Sequence, residues 1–295
     1  MHGEGFALLA AFAFALSAVY TRRFTTGAGG RPPAPPEIGV LASLLGDLTT
    51  FGILAVGELA RGRSQPLRPE SVALFLTAGL VASMLGRNLA FLSVKQIGAG
   101  RSTAVRLSNT VFSAVVGWVW LRDLPRPLQL VGIVLVTVGL WVVVTEREGW
   151  EQNTNWAGIL TAVSAALAFA VGDTARRAGL LITPSVPLSG FLGACAAIPA
   201  QLVLLRPWHW PEAIWRHLRR PDVLASGGFN SVALLLLTAA VHRTPVANAA
   251  ALYNLQVLLV IALGRWMLRG EDPGGLRLVV GSATAVAGAA LVLGG

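Results

Sequence analysis

Long, unbroken apolar runs separated by arginine-rich turns are the feature that most limits what this chain can become. A membrane helix needs about 20 mostly apolar residues to cross the hydrocarbon. Ten stretches qualify: 3–21, 38–57, 71–94, 102–121, 128–145, 156–175, 187–205, 223–241, 246–268 and 276–293. They are continuously apolar rather than alternating, which argues against a transmembrane β-barrel. Several are rich in alanine and glycine, which suits helices that approach closely in lipid. Charge content agrees, since 13% of the 295 residues are charged and 54% are hydrophobic. A soluble protein carries about twice that share of charge, and so little polar surface cannot cover a soluble globule. Disorder is excluded by the same hydrophobicity. The expected fold is all-α and integral to a membrane, with ten transmembrane helices.

The scarce charge lies mostly at the ends of these runs. The chain carries 23 basic and 14 acidic residues, a formal charge of +9, and Lys95 is its only lysine. Arginines at positions 22, 23, 61, 63, 122, 126, 176, 177, 219 and 220 fall between apolar runs, at the depth of headgroup phosphates. The basic balance therefore points to membrane lipids as partners and not to nucleic acid. Totals of Lys and Arg on the two sides nearly match, so they leave the orientation open. The run starting at His2 and Glu4 lacks a basic leader and a small-residue cleavage site, and reads as a retained first span. The connection 206–222 mixes Trp208, Trp210 and Trp215 with Arg216, His217, Arg219 and Arg220. That mixture predicts a short helix lying at the interface. Cys195, the single cysteine, can make no intrachain disulfide.

An internal repeat runs through the chain. At an offset of 153, Ala13 pairs with Ala166, Ala15 with Ala168, Thr21 with Thr174 and Arg23 with Arg176. Later the offset is 149, pairing Asp123 with Asp272, Gly132 with Gly281 and Gly139 with Gly288. Matches in constant order across both halves are the signature of duplication. The expected organisation is a first repeat over 1–145, a linker over 146–155 and a second repeat over 156–295. An odd five spans per repeat requires the halves to enter the membrane in opposite directions. Inverted repeats of this kind recur among transporters, with the substrate site near the midplane between the halves.

Arg269-Gly270-Glu271-Asp272-Pro273 followed by Gly281 and Gly288 resembles the end of a repeat in the drug/metabolite transporter superfamily, in particular its EamA-type members. The first half keeps Arg122-Asp123-Leu124-Pro125 with Gly132 and Gly139, but Arg122 stands where the family has a glutamate. The family's proline in the middle of spans four and nine is missing too. Asn109 and about Val257 or Leu258 occupy those places. The resemblance implies that spans three, four, eight and nine line a central cavity.

Polar residues inside spans are costly and are candidates for function. Arg87 and Arg106 lie on either side of a hairpin turn near Gln96-Ile97, at a similar depth of roughly 14 Å. Asn88 and Asn109 accompany them. Two arginines at one level either face a wet cavity that accepts a carboxylate or phosphate, or snorkel to the interface. In the second half, Asn230, Tyr253, Asn254 and Gln256 fall where the resemblance implies substrate contact, with interhelical hydrogen bonding as the alternative. Asp47, central in its span, is either a proton-coupling carboxylate or the counter-ion of Arg87 or Arg106. Asp173 with Arg176 and Arg177, and Glu58 with Arg61, read as helix-end ion pairs.

No phosphate-binding loop, nucleophile elbow or paired histidine motif is present, so no cofactor, metal or enzymatic activity is expected. The expectation is a secondary transporter, a monomer or homodimer, working by alternating access in a bacterial-type inner (plasma) membrane. Its small-molecule substrate is polar or amphipathic, with anionic and amino-acid-like molecules among the candidates. A flippase for lipid-linked headgroups would also use arginines, with a cavity open sideways to lipid. A lipid-phosphate enzyme would have only Asp47 as base, and a non-transporting scaffold would tolerate loss of every intramembrane polar residue.

Overall fold

The computed structural model describes residues 3–27, 31–62, 66–122, 127–144, 155–205, 210–244, 246–253, 255–267 and 276–294. Apart from short turns and connections these residues are helical, with no strand among them. The first repeat contributes α1 (Gly3–Thr26), α2 (Pro36–Ala60), α3 (Pro69–Ile97), α4 (Ala99–Leu121) and α5 (Pro127–Val144). The second contributes α6 (Trp156–Ile182), α7 (Val186–Leu204), α8 (Trp210–Leu218) and α9 (Pro221–Arg243). It closes with α10 (Val246–Tyr253), α11 (Gln256–Met267) and α12 (Leu276–Gly294). Seven of the described helices are long and apolar enough to cross a membrane, and Val279–Gly288 is a shorter apolar stretch.

Helix starts follow local chemistry. Pro36, Pro69 and Pro221 sit at the first helical position, where the missing N–H costs nothing. Asn155 caps α6 by accepting from the Gly158 N–H at 3.0 Å, and Ser185 caps α7 through Leu188. The α3–α4 hairpin turns at Gly98, whose φ of 85° is open to glycine and poorly so to other residues.

The register of contacts fixes helix directions. Along α2 and α7, Glu37 meets Gln201, Phe51 meets Gly190 and Glu58 meets Ser185, so the pair is antiparallel. In α5 and α12, Gly139 abuts Gly281 and Ala285 while Gly288 abuts Gly132 and Val136, again antiparallel. Each pair joins corresponding helices of the two halves, so the halves are inverted. The first and third helices exchange partners: α1 packs on α9 through Ser17 and Ser226, and α6 packs on α3 through Gly172 and Ala82.

Arginines repeat the same symmetry. From α1, Arg22 donates to the carbonyls of Val94 and Lys95 at the end of α3. From α6, Arg177 donates to those of Val241 and Thr244 at the end of α9. Both satisfy carbonyls that a helix end leaves open. Outside, large apolar side chains such as Ile53 (72% exposed) and Val203 (78%) face outward, as lipid contact requires. The interior seams are alanine and glycine, because close backbone approach supplies the packing that lipid cannot. The amphipathic connection is helical as expected, and Arg219 lies over the Trp215 ring.

Candidate substrate cavity

Both repeats contribute to a central cavity of about 50 Å³. Helices α1, α3, α4, α6, α9, α10 and α11 supply the lining. A second, smaller compartment shares Phe14, Arg106, Asn230 and Gln256 with the first and adds Ser17, Thr21 and Val94.

Irregular backbone positions the two arginines. In α3 the π-helical stretch Gly79–Gly86 immediately precedes Arg87, and such wide turns are frequent at functional sites. Gly79 is required here, since a Cβ would strike the Gly193 backbone of α7. The Arg87 Nη1 lies 2.6 Å from Asp47 Oδ2 and donates to Ser43 Oγ at 2.9 Å, and both members of the ion pair are buried. In α4 a 3-10 turn over Arg106–Ser108 interrupts the α-helix. Arg106 begins that turn and donates to Thr103 Oγ1 at 3.2 Å. No described carboxylate forms an ion pair with it, and its Nε is buried without a partner.

The second half interrupts its corresponding helix as well. After Tyr253, α10 ends and Leu255 donates back three residues to the Leu252 carbonyl, before α11 starts at Gln256. The two breaks stand close to the places where proline was expected from the family pattern, and neither uses one.

Asp173 and Arg176 overturn the helix-end reading. The helix α6 continues to Ile182, so the pair is internal, buried, 2.5 Å apart, and lines the main cavity. Arg176 is within electrostatic reach of Arg87 and Asp47, which makes one cluster of two carboxylates and two guanidiniums. Glu58, read with Arg61, instead accepts from Ser185 Oγ across the α2–α7 seam.

Of the residues singled out from the sequence, Arg87, Arg106, Asn230, Tyr253 and Gln256 line the main cavity. Asn109 stands behind Tyr253, donating to its hydroxyl and accepting from Ser113. Asn88 is turned away: its amide donates to Gln201 at 2.6 Å and receives a bond back. Asp47 is buried against Arg87 and is not among the lining residues. Asn254 lies outside the described residues.

Apolar and hydroxyl-bearing parts of the lining were not singled out from the sequence. Phe14, Phe91 and Phe169 line the main compartment. Ser17 and Thr21 line the annex. The repeat held the available signal, because Thr21 and Arg23 match Thr174 and Arg176 beside Asp173.

No curated protein matches the chain. A solved crystal structure is similar over 98% of this chain and 98% of its own, with a TM-score of 0.64 and 20% identity. At that identity the likeness concerns the fold. The family model described as "EamA-like transporter family" matches twice, over residues 1–145 and 156–294. Those two matches take in nearly the whole sequence, and the chain belongs to the EamA-like transporter family.

Proposed function

We propose that this multi-pass membrane transporter carries a small amphipathic molecule bearing a carboxylate or phosphate, by alternating access between its inverted halves. Ten membrane passes, a plasma-membrane location and a substrate site shared by the two repeats belong to this reading. The observation that supports it is Arg106. Arg87 and Arg176 are each engaged by a carboxylate at 2.5–2.6 Å, whereas Arg106 lines both compartments and forms no ion pair with a described carboxylate. A guanidinium held in a low-dielectric site binds an anion more strongly than it would in water. The three phenylalanines beside it offer apolar surface to the rest of the molecule.

Alternating access needs helices that bend, and the helical ladder is interrupted once in each half, in α4 and between α10 and α11. The test is uptake of carboxylates and phosphate esters into liposomes holding the purified protein. Arg106→Gln is expected to abolish uptake with folded yield unchanged, and Arg106→Lys to retain part of it. Undiminished anion uptake by Arg106→Gln would sink the proposal.

A further inference from the structure

The seam between α2 and α7 leaves a groove of about 380 Å³ at one end of the bundle. Gly52, Ala55 and Leu59 of α2, Leu188 and Phe191 of α7, and Leu67 of the α2–α3 connection line it. Leu59 and Leu67 are exposed, so the groove opens outward, where the bilayer would lie. From Gly52 to Leu59 its wall follows about 10 Å of helix, and it ends at the last turn of α2. Its upper end therefore stands where a membrane-spanning helix reaches the headgroups.

Glu58 is the exception in this apolar wall. It is half-buried, and its Oε2 accepts from Ser185 Oγ at 2.6 Å. That bond satisfies a lone pair but not the charge. Glu58 forms no ion pair among the described residues, not even with Arg61 three positions on. A carboxylate beside acyl chains is costly unless a cation meets it. Arg61 and Arg68 are exposed, one just past the end of α2 and the other next to the lining Leu67. The end of the groove thus offers a carboxylate on its wall and two guanidiniums at its rim, the complement of a headgroup that carries an ammonium and a phosphate.

We infer that this groove binds a phospholipid whose headgroup bears a primary ammonium, as in phosphatidylethanolamine. An acyl chain lies between α2 and α7, the ammonium donates to Glu58, and the phosphate meets Arg61 and Arg68. The quaternary ammonium of choline has no N–H to donate to the carboxylate. A glycerol headgroup brings only the negative charge of its phosphate toward Glu58. A second copy docked here about a two-fold axis would set two Glu58 carboxylates in one interface. The groove shares no lining residue with the central cavity, so its occupant is independent of the transported molecule.

The experiment is native mass spectrometry of the purified full-length protein in detergent, titrated with phosphatidylethanolamine, phosphatidylcholine and phosphatidylglycerol of identical acyl chains. The dissociation constant of the first lipid bound is expected to be about three- to fivefold lower for phosphatidylethanolamine than for the other two. Glu58→Gln keeps an acceptor for Ser185 and is expected to erase that ratio. Arg61→Gln combined with Arg68→Gln is expected to weaken all three lipids alike. Ala55→Phe fills the groove and is expected to erase the ratio by excluding the chain, which reads the site from its apolar wall should Glu58→Gln fail to fold.

Equal affinity for the three lipids in the unaltered protein overturns the site. A ratio that survives Glu58→Gln or Ala55→Phe overturns it as well. Tightest binding of phosphatidylglycerol overturns it in favour of a purely anionic lipid. A dimer that shows no lipid preference and is split by Ala55→Phe overturns it in favour of a second copy of the chain.

Discussion

The Arg87 guanidinium and the Asp47 carboxylate lie 2.6 Å apart with neither side chain more than 4% exposed. Removing one partner leaves the other charge buried alone, at a cost of about 3–5 kcal/mol. Asp47→Asn and Arg87→Gln are each expected to lower the melting midpoint and the monodisperse yield sharply. The paired replacement Asp47→Leu with Arg87→Met is expected to recover most of both. Thermal unfolding monitored by size-exclusion chromatography checks this, and singles that melt like the parent would refute the pairing.

Tyr253→Phe removes the hydroxyl that accepts from Asn109 and leaves a buried amide N–H open. The expected loss is about 1–3 kcal/mol. Adding Asn109→Leu removes the orphaned group and is expected to restore part of the loss. A double-mutant cycle on melting midpoints measures the coupling.

Two glycines are expected to respond with opposite signs. At Gly288 a Cβ would collide with backbone atoms of Gly132 and Val136, so Gly288→Val is expected to destabilise the α5–α12 seam by about 1–3 kcal/mol or more. At Gly57, inside α2, nothing lies within 4 Å. There Gly57→Ala is expected to stabilise by roughly 0.5–1 kcal/mol through reduced chain entropy. Melting curves of the two variants in the same detergent compare them directly.

His217 on α8 supplies a pH dependence. Burial, together with the nearby Arg220 and Arg216, holds its imidazole below the usual histidine range. With the folded value depressed, the unfolded state binds protons more readily on the acid side. Its contribution to α8 docking is therefore present above about pH 6.5 and is lost as pH falls below that. Protection of the amides over 210–218, taken relative to the slower intrinsic exchange in acid, is expected to fall between roughly pH 6.5 and 5, and His217→Gln to flatten the response.

The span pattern was legible because its signal is length and apolarity, which survive without neighbours. A similar depth for Arg87 and Arg106, which line one cavity, also followed from the hairpin spacing. Asn88 did not: the π-helical stretch before it changes the angular step per residue, so a 3.6-residue register misplaces the side chain. Asp173 and Arg176 were hidden for another reason. A 20-residue window stops at the first charges, yet α6 runs 27 residues because the two charges neutralise each other inside it. The helix breaks at Arg106 and after Tyr253 carry no proline to announce them, and depend on contacts between halves. The bond from the Asn230 amide to Ser17 joins residues 213 positions apart along the chain.

That separation has a meaning in time. Ser17 on α1 finds its partner Ser226 on α9, a distance of 209 residues along the chain. At a synthesis rate of about 5–20 residues per second, the first helix waits roughly 10–40 s for the surface that covers it. During that interval its polar stripe of Ser17 and Thr21 must be tolerated by lipid, by the insertion machinery or by a temporary neighbour. The exchange of partners between halves therefore makes the earliest helix to be made one of the last to be housed.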